Sequence, residues 1–494
     1  MLRPIDDSLT IFLIGATGDL AKKKIWAAVY RLYEQSLLPK NFKIVGVART
    51  EFSSNQFQQL LIDVIRPTVT DQRWNTFLES VSYISGDVSK VDTFKKLCDQ
   101  HTTWKTCGNH LWYVATLPNL YLSVIKHIKA TQLQQTNCGW TKLLLEKPFG
   151  VDLQTSQKLN TELLQVFDEE QIYRIDHFLA KETVQNLLIF RFGNGLFEHL
   201  WNSSYVDHIQ ITASEKFGIG TRGAFYDAVG TVRDVVQNHV LQMLAMTMME
   251  EPQSLEPSHI RKKRMDFLSQ LEILSPEFIP SSVYFGQYSV GIVDGETTPS
   301  YLNELGIPDT SRTETAVAGK IHVNSPRWKG VPIYFRAGKR LAETVTEISI
   351  KFKEPINKMF SQLQSPQTGN VLTLRIQPNE GVIVRLNVKK PGLSLSMEEV
   401  SMQFCYKSQF QMGLVEAYEK LLYDAIQGDT TLFPQAEDIE ASWKFIQPII
   451  DHLALSDTRP QLYPGGSWGP ESFTELVEQD GRSWIQPQPD TCAV

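Results

Sequence analysis

Apolar positions in the first 180 residues fall in short unbroken runs, whereas those beyond about residue 200 alternate with polar ones. Thr10 to Ile14, Lys43 to Ala48, Leu111 to Thr116 and Leu143 to Leu145 are runs of the first kind, and Gln171 to Ile175 reads as a further short strand. Such runs are expected of strands buried on both faces, the situation of a parallel sheet. Ala21 to Leu32 supplies helix formers at helical spacing between the first two strands. The later candidates are Val206 to Thr212, Thr315 to Val323, Ile333 to Arg336, Thr346 to Phe352, Val371 to Ile376, Gly381 to Val388 and Ser401 to Cys405. Their alternation, as in Glu347-Ile348-Ser349-Ile350-Lys351-Phe352, predicts a largely antiparallel sheet with one wet face. Helices over Phe410 to Ile426 and Ile439 to Leu453 close the pattern. The expected fold class is an α/β domain over residues 1–180 followed by a larger α+β domain over 181–494.

The first strand runs into Gly15-Ala16-Thr17-Gly18-Asp19-Leu20-Ala21. Gly15 can take the dihedrals of a tight turn, and Gly18 lets the backbone approach a pyrophosphate. The N–H groups of the following helix point at the anion, so Gly15, Thr17, Gly18, Asp19 and Leu20 are the candidate cofactor-binding residues. The spacing is GxxGxxA and not GxGxxG, so the turn needs support from the next strand. That strand ends in Arg49, where NAD-preferring folds place an acid for the ribose 2′-hydroxyl. A guanidinium suits a 2′-phosphate, which makes NADP the expected cofactor, with Glu51 the nearby residue that opposes it. Lys147 ends the fourth run, where an open α/β sheet gathers its active residues. Lys147-Pro148-Phe149 also reads as a loop fixed by proline, with a cis bond open to it.

Two further segments carry candidate chemistry. In Asp176-His177-Phe178-Leu179-Ala180-Lys181 a helix is expected to begin and to run through Leu187, so that His177 and Lys181 share a face and form a socket for a phosphorylated small substrate. Cap and solvent charge are the plainer roles for this pair. A second helix runs from Thr231 to about Glu250, and its methionines fill core volume. Arg233, Asp234, Asn238 and His239 need partners or a cleft. At about 100° per residue His239 lies about 140° from Asp234, so a carboxylate from another segment must orient it. Glu215 follows a strand end, where it can accept from sugar hydroxyls. Arg336, Lys339 and Arg340 flank a glycine turn that is equally well an ordinary wet one.

A chain of 494 residues has room for two or three domains, and its net charge of -7 gives no general attraction for nucleic acid or anionic membrane. The longest apolar stretches, such as Val240 to Met249, are too short to span a bilayer. No signal-peptide pattern precedes the first strand, so a cytoplasmic protein is expected. Cys98, Cys107, Cys138, Cys405 and Cys492 form no CxxC pair, and neither a disulfide framework nor a metal site is expected.

In combination, GATGDLAKKK at 15–24, GVAR at 46–49, LLLEKPFG at 143–150, RIDHFLAKE at 174–182, VDHIQIT at 206–212, RDVVQNH at 233–239 and RWKGVPIYFRAGK at 327–339 resemble the glucose-6-phosphate dehydrogenase family, in its order and across nearly the whole chain. The resemblance implies a Rossmann-like NADP domain and a larger domain that completes the substrate site and a homodimer or homotetramer. It implies His239 as general base, Asp176 as its orienting carboxylate, and Lys147 as a lysine touching substrate and cofactor. His177 and Lys181 resemble the phosphate-binding pair, Glu215 and Asp234 the residues holding sugar hydroxyls, and Lys339 another lysine of the glucose 6-phosphate pocket. Three departures stand out. Phe178 replaces a usual tyrosine, Ala180 a usual glycine, and Thr344 a frequent basic residue whose charge Arg340 or Arg336 is expected to supply. The competing readings are an NADP oxidoreductase of another sugar and a non-catalytic NADP-binding protein. The second leaves Asp176, Lys147 and His239 without a reason to occur together.

Overall fold

The computed structural model describes residues 8–66, 72–104, 108–136, 138–354, 358–360, 369–410, 415–455 and 459–488. Cys107 and Cys492 lie outside them. The chain divides into two compact units, the first comprising Met1–Ala180, Pro252–Lys262 and Val415–Glu440. Its parallel sheet is built from β1 (Leu9–Ile14), β2 (Phe42–Ala48), β3 (Val81–Ser85), β4 (Asn109–Val114), β5 (Thr141–Leu145) and β6 (Ile172–Arg174), in the order β3-β2-β1-β4-β5-β6. This is the doubly wound Rossmann order, which reverses direction beside β1. Every residue of β1, β4 and β5 is buried, which is why these strands show as unbroken apolar runs. The edge strand β3 buries only Ile84, and its mixed sequence gives no such signal.

The late helix Ala417–Gln427 belongs to this first unit. Lys142 of β5 donates to the carbonyls of Ala425 at 2.7 Å and Ile426 at 3.2 Å, and its ammonium lies 3.9 Å from the centre of the Trp140 ring. A cation at the carbonyl end of a helix opposes the negative end of its dipole. Burial nevertheless pulls the Lys142 ammonium down to about 8.

The second unit comprises Lys181–Glu251, Lys263–Leu414 and Ala441–Val494. Its strands are β7 (Val206–Ser214), β8 (Val283–Ser289), the hairpin β9 (Gly291–Val293) and β10 (Glu296–Thr298), β11 (Ala316–Ile321), β12 (Ile333–Gly338), β13 (Val345–Phe352), β14 (Val371–Gln377), β15 (Gly381–Lys389), β16 (Met397–Cys405) and β17 (Gln461–Pro464). All but the hairpin join a nine-stranded sheet ordered β16-β15-β14-β13-β7-β12-β11-β8-β17. Its pairs are antiparallel except β7 with β12 and β8 with β17.

The expected wet face is corrected at the centre of this sheet. His208, Gln210 and Thr212 of β7, Arg336 of β12, Glu347 and Ser349 of β13, and Thr373 and Arg375 of β14 are all buried. Residues 482–488 lie over them. Gln210 donates to the Ser483 carbonyl at 2.8 Å, Arg375 to that of Gln488 at 2.8 Å and Arg385 to that of Gln486 at 2.9 Å. The Arg336 guanidinium is flanked by the rings of Trp468 and Trp484, 4.0 and 4.6 Å from their centres. Alternation reports which side chains share a face, whereas the cover comes from a segment over a hundred residues away. The cysteine expectation is also corrected, since Cys138 and Cys405 are each disulfide-bonded while Cys98 is free. Sequence spacing carries no information about which sulfurs the fold brings within bonding distance. Among the described residues no helix is long and apolar enough to cross a membrane.

Candidate active site

In the first unit the turn after β1 is held from below, since the N–H groups of Gly15 and Ala16 both donate to Val47 O, at 2.8 and 3.1 Å. Gly15 has a φ of 94°, and a Cβ there would sit 2.4 Å from the Ala115 carbonyl oxygen. A side chain is therefore excluded on two counts. The Gly18 N–H donates back to Gly15 O at 2.9 Å, and Thr17 Oγ1 lies 3.4 Å from Thr50 Oγ1. That contact brings the turn against the loop after β2, which carries the exposed Arg49 and Glu51. Asp19 is exposed and pairs loosely with Lys23 at 3.9 Å, while Leu20 is partly buried and opens the helix. A turn from which Gly15 excludes a side chain, a helix start and an exposed guanidinium together fit a 2′-phosphorylated dinucleotide.

At the other end of the fold's switch, β5 runs into Glu146 and a cis Lys147-Pro148 bond. Glu146 is buried, and the sequence pattern did not single it out. Tyr113 donates to its carboxylate at 2.6 Å, and Tyr121 donates to its main-chain carbonyl at 2.8 Å. These two bonds fix the backbone from which the half-buried Lys147 projects. Desolvation raises the Glu146 carboxyl to about 7, aided by Asp176 and opposed by the Tyr113 bond and Lys147. The available signal was a glutamate closing an otherwise apolar run. A carboxyl raised by folding favours the native state below its unfolded value near 4.5, and that benefit is lost as pH rises through about 7. Glu146→Gln should therefore raise the melting temperature at pH 8, equivalent to at most about 3 kcal/mol, with the gain vanishing by pH 5 in paired thermal scans.

The end of β6 lies beside that of β5, with the Ile175 N–H on Leu145 O at 2.9 Å. Asp176 is buried there. Its carboxylate accepts from the Phe178 N–H at 3.0 Å and its carbonyl from the Leu179 N–H at 3.1 Å. These local bonds fold residues 177–180 as a turn and delay the helix to Glu182–Phe192, which corrects the predicted helical face shared by His177 and Lys181. His177 stacks at 6.1 Å on Tyr418, whose hydroxyl is held protonated by burial and by Glu146 and Asp176. Phe178 is buried against the His177 ring.

In the second unit Lys181 lies 3.9 Å from Glu380, a partner missed in the sequence, and the Glu380 carboxylate also accepts from the Thr183 N–H at 2.9 Å. Glu215 follows β7 and pairs with Lys339, which follows β12, at 2.6 Å. The turn after β12 is not a wet one, because Arg336 and Lys339 are both buried. Lys339 Nζ lies 5.3 Å from the centre of the Tyr226 ring, and the Tyr226 hydroxyl feels the negative charge of Asp234. The Glu215–Lys339 pair thus lies beside Tyr226. The two arginines named as substitutes for a basic residue at Thr344 both have protein partners. Arg336 donates to Thr212 and is held between its tryptophans, Arg340 lies 3.6 Å from Glu304, and Thr344 accepts from the Lys216 N–H.

His239 is buried on a helix packed against β7 and β12. Val232–Val240 is π-helical, with i→i+5 bonding, and an α-helix follows over Leu241–Met248. The wider turn moves residues five apart toward one side, so the angle between Asp234 and His239 drawn from α-helical geometry does not hold. Its polar groups are tied locally: Asn238 Nδ2 donates to Arg233 O at 3.2 Å, and Asn238 Oδ1 accepts from the His239 N–H at 2.6 Å.

A Rossmann sheet with a glycine turn after β1, and with lysine and carboxylates at the ends of β5 and β6, defines a dinucleotide-dependent oxidoreductase. Sequence profiles of the NAD binding domain and the C-terminal domain of glucose-6-phosphate dehydrogenase match residues 12–186 and 188–485. The chain belongs to the glucose-6-phosphate dehydrogenase family, whose members are NADP-dependent dehydrogenases. It is 40% identical over 487 residues to the glucose-6-phosphate 1-dehydrogenase of Aggregatibacter actinomycetemcomitans, covering 97% of this chain and 98% of that one. It is 36% identical over 479 residues to that of Bacillus subtilis, covering 96% and 97%. Among solved structures, it is similar to a glucose-6-phosphate dehydrogenase in complex with its substrate glucose-6-phosphate, with a TM-score of 0.88, 32% identity, and 98% and 100% of the two chains covered. The Mycobacterium avium enzyme gives 0.82, 34%, and 98% and 100%.

Proposed function

We propose that this chain oxidises D-glucose 6-phosphate at C1 to 6-phospho-D-glucono-1,5-lactone, with His239 as the general base and Asp176 as the carboxylate that orients it. The observation carrying this reading is the corner at the ends of β5 and β6, where Lys147 projects from a clamped backbone beside buried Glu146 and Asp176. When bound, NADP+ supplies the hydride acceptor at its nicotinamide. Gly15, Thr17, Gly18, Asp19 and Leu20 hold its pyrophosphate, Arg49 its 2′-phosphate, and Lys147 reaches both ligands. His239 takes the proton from the C1 hydroxyl as hydride departs from C1, and Asp176 stabilises the resulting imidazolium. His177 and Lys181 bind the sugar phosphate, Glu215 and Asp234 accept from sugar hydroxyls, and Lys339, kept in place by Glu215, adds positive charge. In this reading residues 1–180 form the NADP domain and 181–494 the substrate and dimerisation domain. The protein is cytoplasmic, acts as a homodimer or homotetramer, and needs neither nucleic acid nor membrane.

The test follows absorbance of the reduced nicotinamide with glucose 6-phosphate and NADP+, then with NAD+ and with glucose. Turnover that requires the phosphate and prefers NADP+ supports the assignment, and equal kcat/KM for glucose would end it. Phe178→Tyr should lower KM for glucose 6-phosphate by about threefold to tenfold, the worth of a hydrogen bond to a charged group. Initial-rate kinetics at fixed NADP+ check this. An unchanged KM removes the missing hydroxyl as a cause of weaker phosphate binding.

A further inference from the structure

The helix carrying Asp234 and His239 starts from an unusual place. Gly230 breaks the preceding helix Gly223–Thr231 with φ 70° and ψ 174°, so the next helix begins anew and its first N–H groups need acceptors. No side chain of this segment caps it. The acceptors come from Glu314, which sits on the approach to β11, more than eighty residues away. Its carbonyl accepts from the Thr231 N–H at 3.3 Å, and its carboxyl Oε1 accepts from the Val232 N–H at 3.0 Å.

Gly230 and Glu314 are fitted to one another. A Cβ at Gly230 would lie 2.3 and 2.6 Å from the two carboxyl oxygens of Glu314, so the cap exists only because position 230 has no side chain. The same short segment also places Lys339, whose N–H donates to the carbonyl of the neighbouring Thr315 at 2.9 Å. Tyr463 reinforces this joint by donating to Lys339 O at 2.6 Å while lying 3.0 Å from Thr315 Oγ1. Residues 314 and 315 therefore tie the His239 helix and the Lys339 turn to one point of the sheet.

We propose that Glu314 is a positioning residue of the dehydrogenation: its buried carboxyl, seated in the space left by Gly230, anchors the start of the helix whose far end presents His239. This rests on the functional reading above and assigns Glu314 no contact with substrate. The groups facing the carboxyl are Arg233 on the capped helix, the Val232 N–H and its own N–H, with the hydroxyl of Tyr226 nearby. Burial raises the carboxyl to about 7 against the pull of those donors and Arg233. A carboxyl whose titration the anchored conformation raises favours that conformation while it is protonated, so the anchor loosens as pH rises through about 7.

The experiment compares Glu314→Ala and Glu314→Gln with the wild-type enzyme in full kinetics from pH 5.5 to 8.5. Glu314→Ala should lower kcat by about tenfold or more while KM for NADP+, bound by the other unit, stays within about twofold. Glu314→Gln keeps an acceptor for Val232 but no proton to lose. Its kcat/KM should therefore hold to pH 8.5, where that of the wild type declines above about pH 7. An alanine variant with kcat within twofold of wild type, or a glutamine profile that superimposes on the wild-type one above pH 7, overturns the proposal. Should the alanine variant not fold, the glutamine profile decides. If wild-type protein shows no turnover with glucose 6-phosphate, the functional reading fails separately. The anchor is then judged by amide exchange at residues 231–234, which must quicken in Glu314→Ala relative to the sheet or the idea is lost.

Discussion

His239→Asn is expected to lower kcat by about 10²- to 10⁴-fold, the usual contribution of a positioned general base. Asparagine roughly preserves the volume and polarity of the position, but its amide has no basic lone pair at neutral pH and cannot take the proton from the C1 hydroxyl. Because His239 is buried on a helix whose polar groups are tied locally, the substitution should leave the fold and both KM values within a few-fold of wild type. Steady-state rates of both proteins at saturating glucose 6-phosphate and NADP+ give the comparison, with circular dichroism as the control for folding. An asparagine protein with an undiminished rate would remove the base from this mechanism.

Gly15→Ala should cut kcat/KM for NADP+ by at least about tenfold while changing KM for glucose 6-phosphate far less. The methyl group meets the Ala115 carbonyl oxygen at 2.4 Å and its carbon at 2.9 Å, both backbone atoms at the end of β4 that cannot rotate away. The residue must also hold a φ of 94°, a strained conformation for alanine that costs about 1–3 kcal/mol. The turn has to lift off the sheet, and with it the N–H groups that would face the pyrophosphate. Cofactor titration with the substrate saturating measures the effect. Wild-type affinity in the variant would show that the turn does not cradle the cofactor. Gly18 is a milder case, since a Cβ there would lie 3.2 Å from Gly15 O and 3.8 Å from Ala115 O.

The sequence was most informative where burial on both faces left little choice of residue. β1, β2, β4 and β5 were all recognisable as apolar runs, and Gly15 was legible because its backbone conformation and its closeness to β4 exclude a side chain. The edge strand β3 was not, because an exposed edge accepts polar residues as readily as apolar ones. The turn at 177–180 was misread as helix because Asp176 can serve either as a helix start or as the acceptor closing a local turn. Spacing alone does not choose between these.

The chain by itself determined its two kinds of sheet, its cofactor turn and the residue types available for chemistry, because periodicity and glycine geometry are local properties. Only the tertiary structure decided which charged groups are buried and what faces them. The Glu146 carboxyl on Tyr113, the Lys339 ammonium on Glu215, the Arg336 guanidinium between two tryptophans and the Glu314 cap on a distant helix all join residues 33 or more positions apart. A charge has much the same cost in any sequence until the fold removes its water, and the partner that then compensates it is a matter of distance in space, on which spacing along the chain is silent.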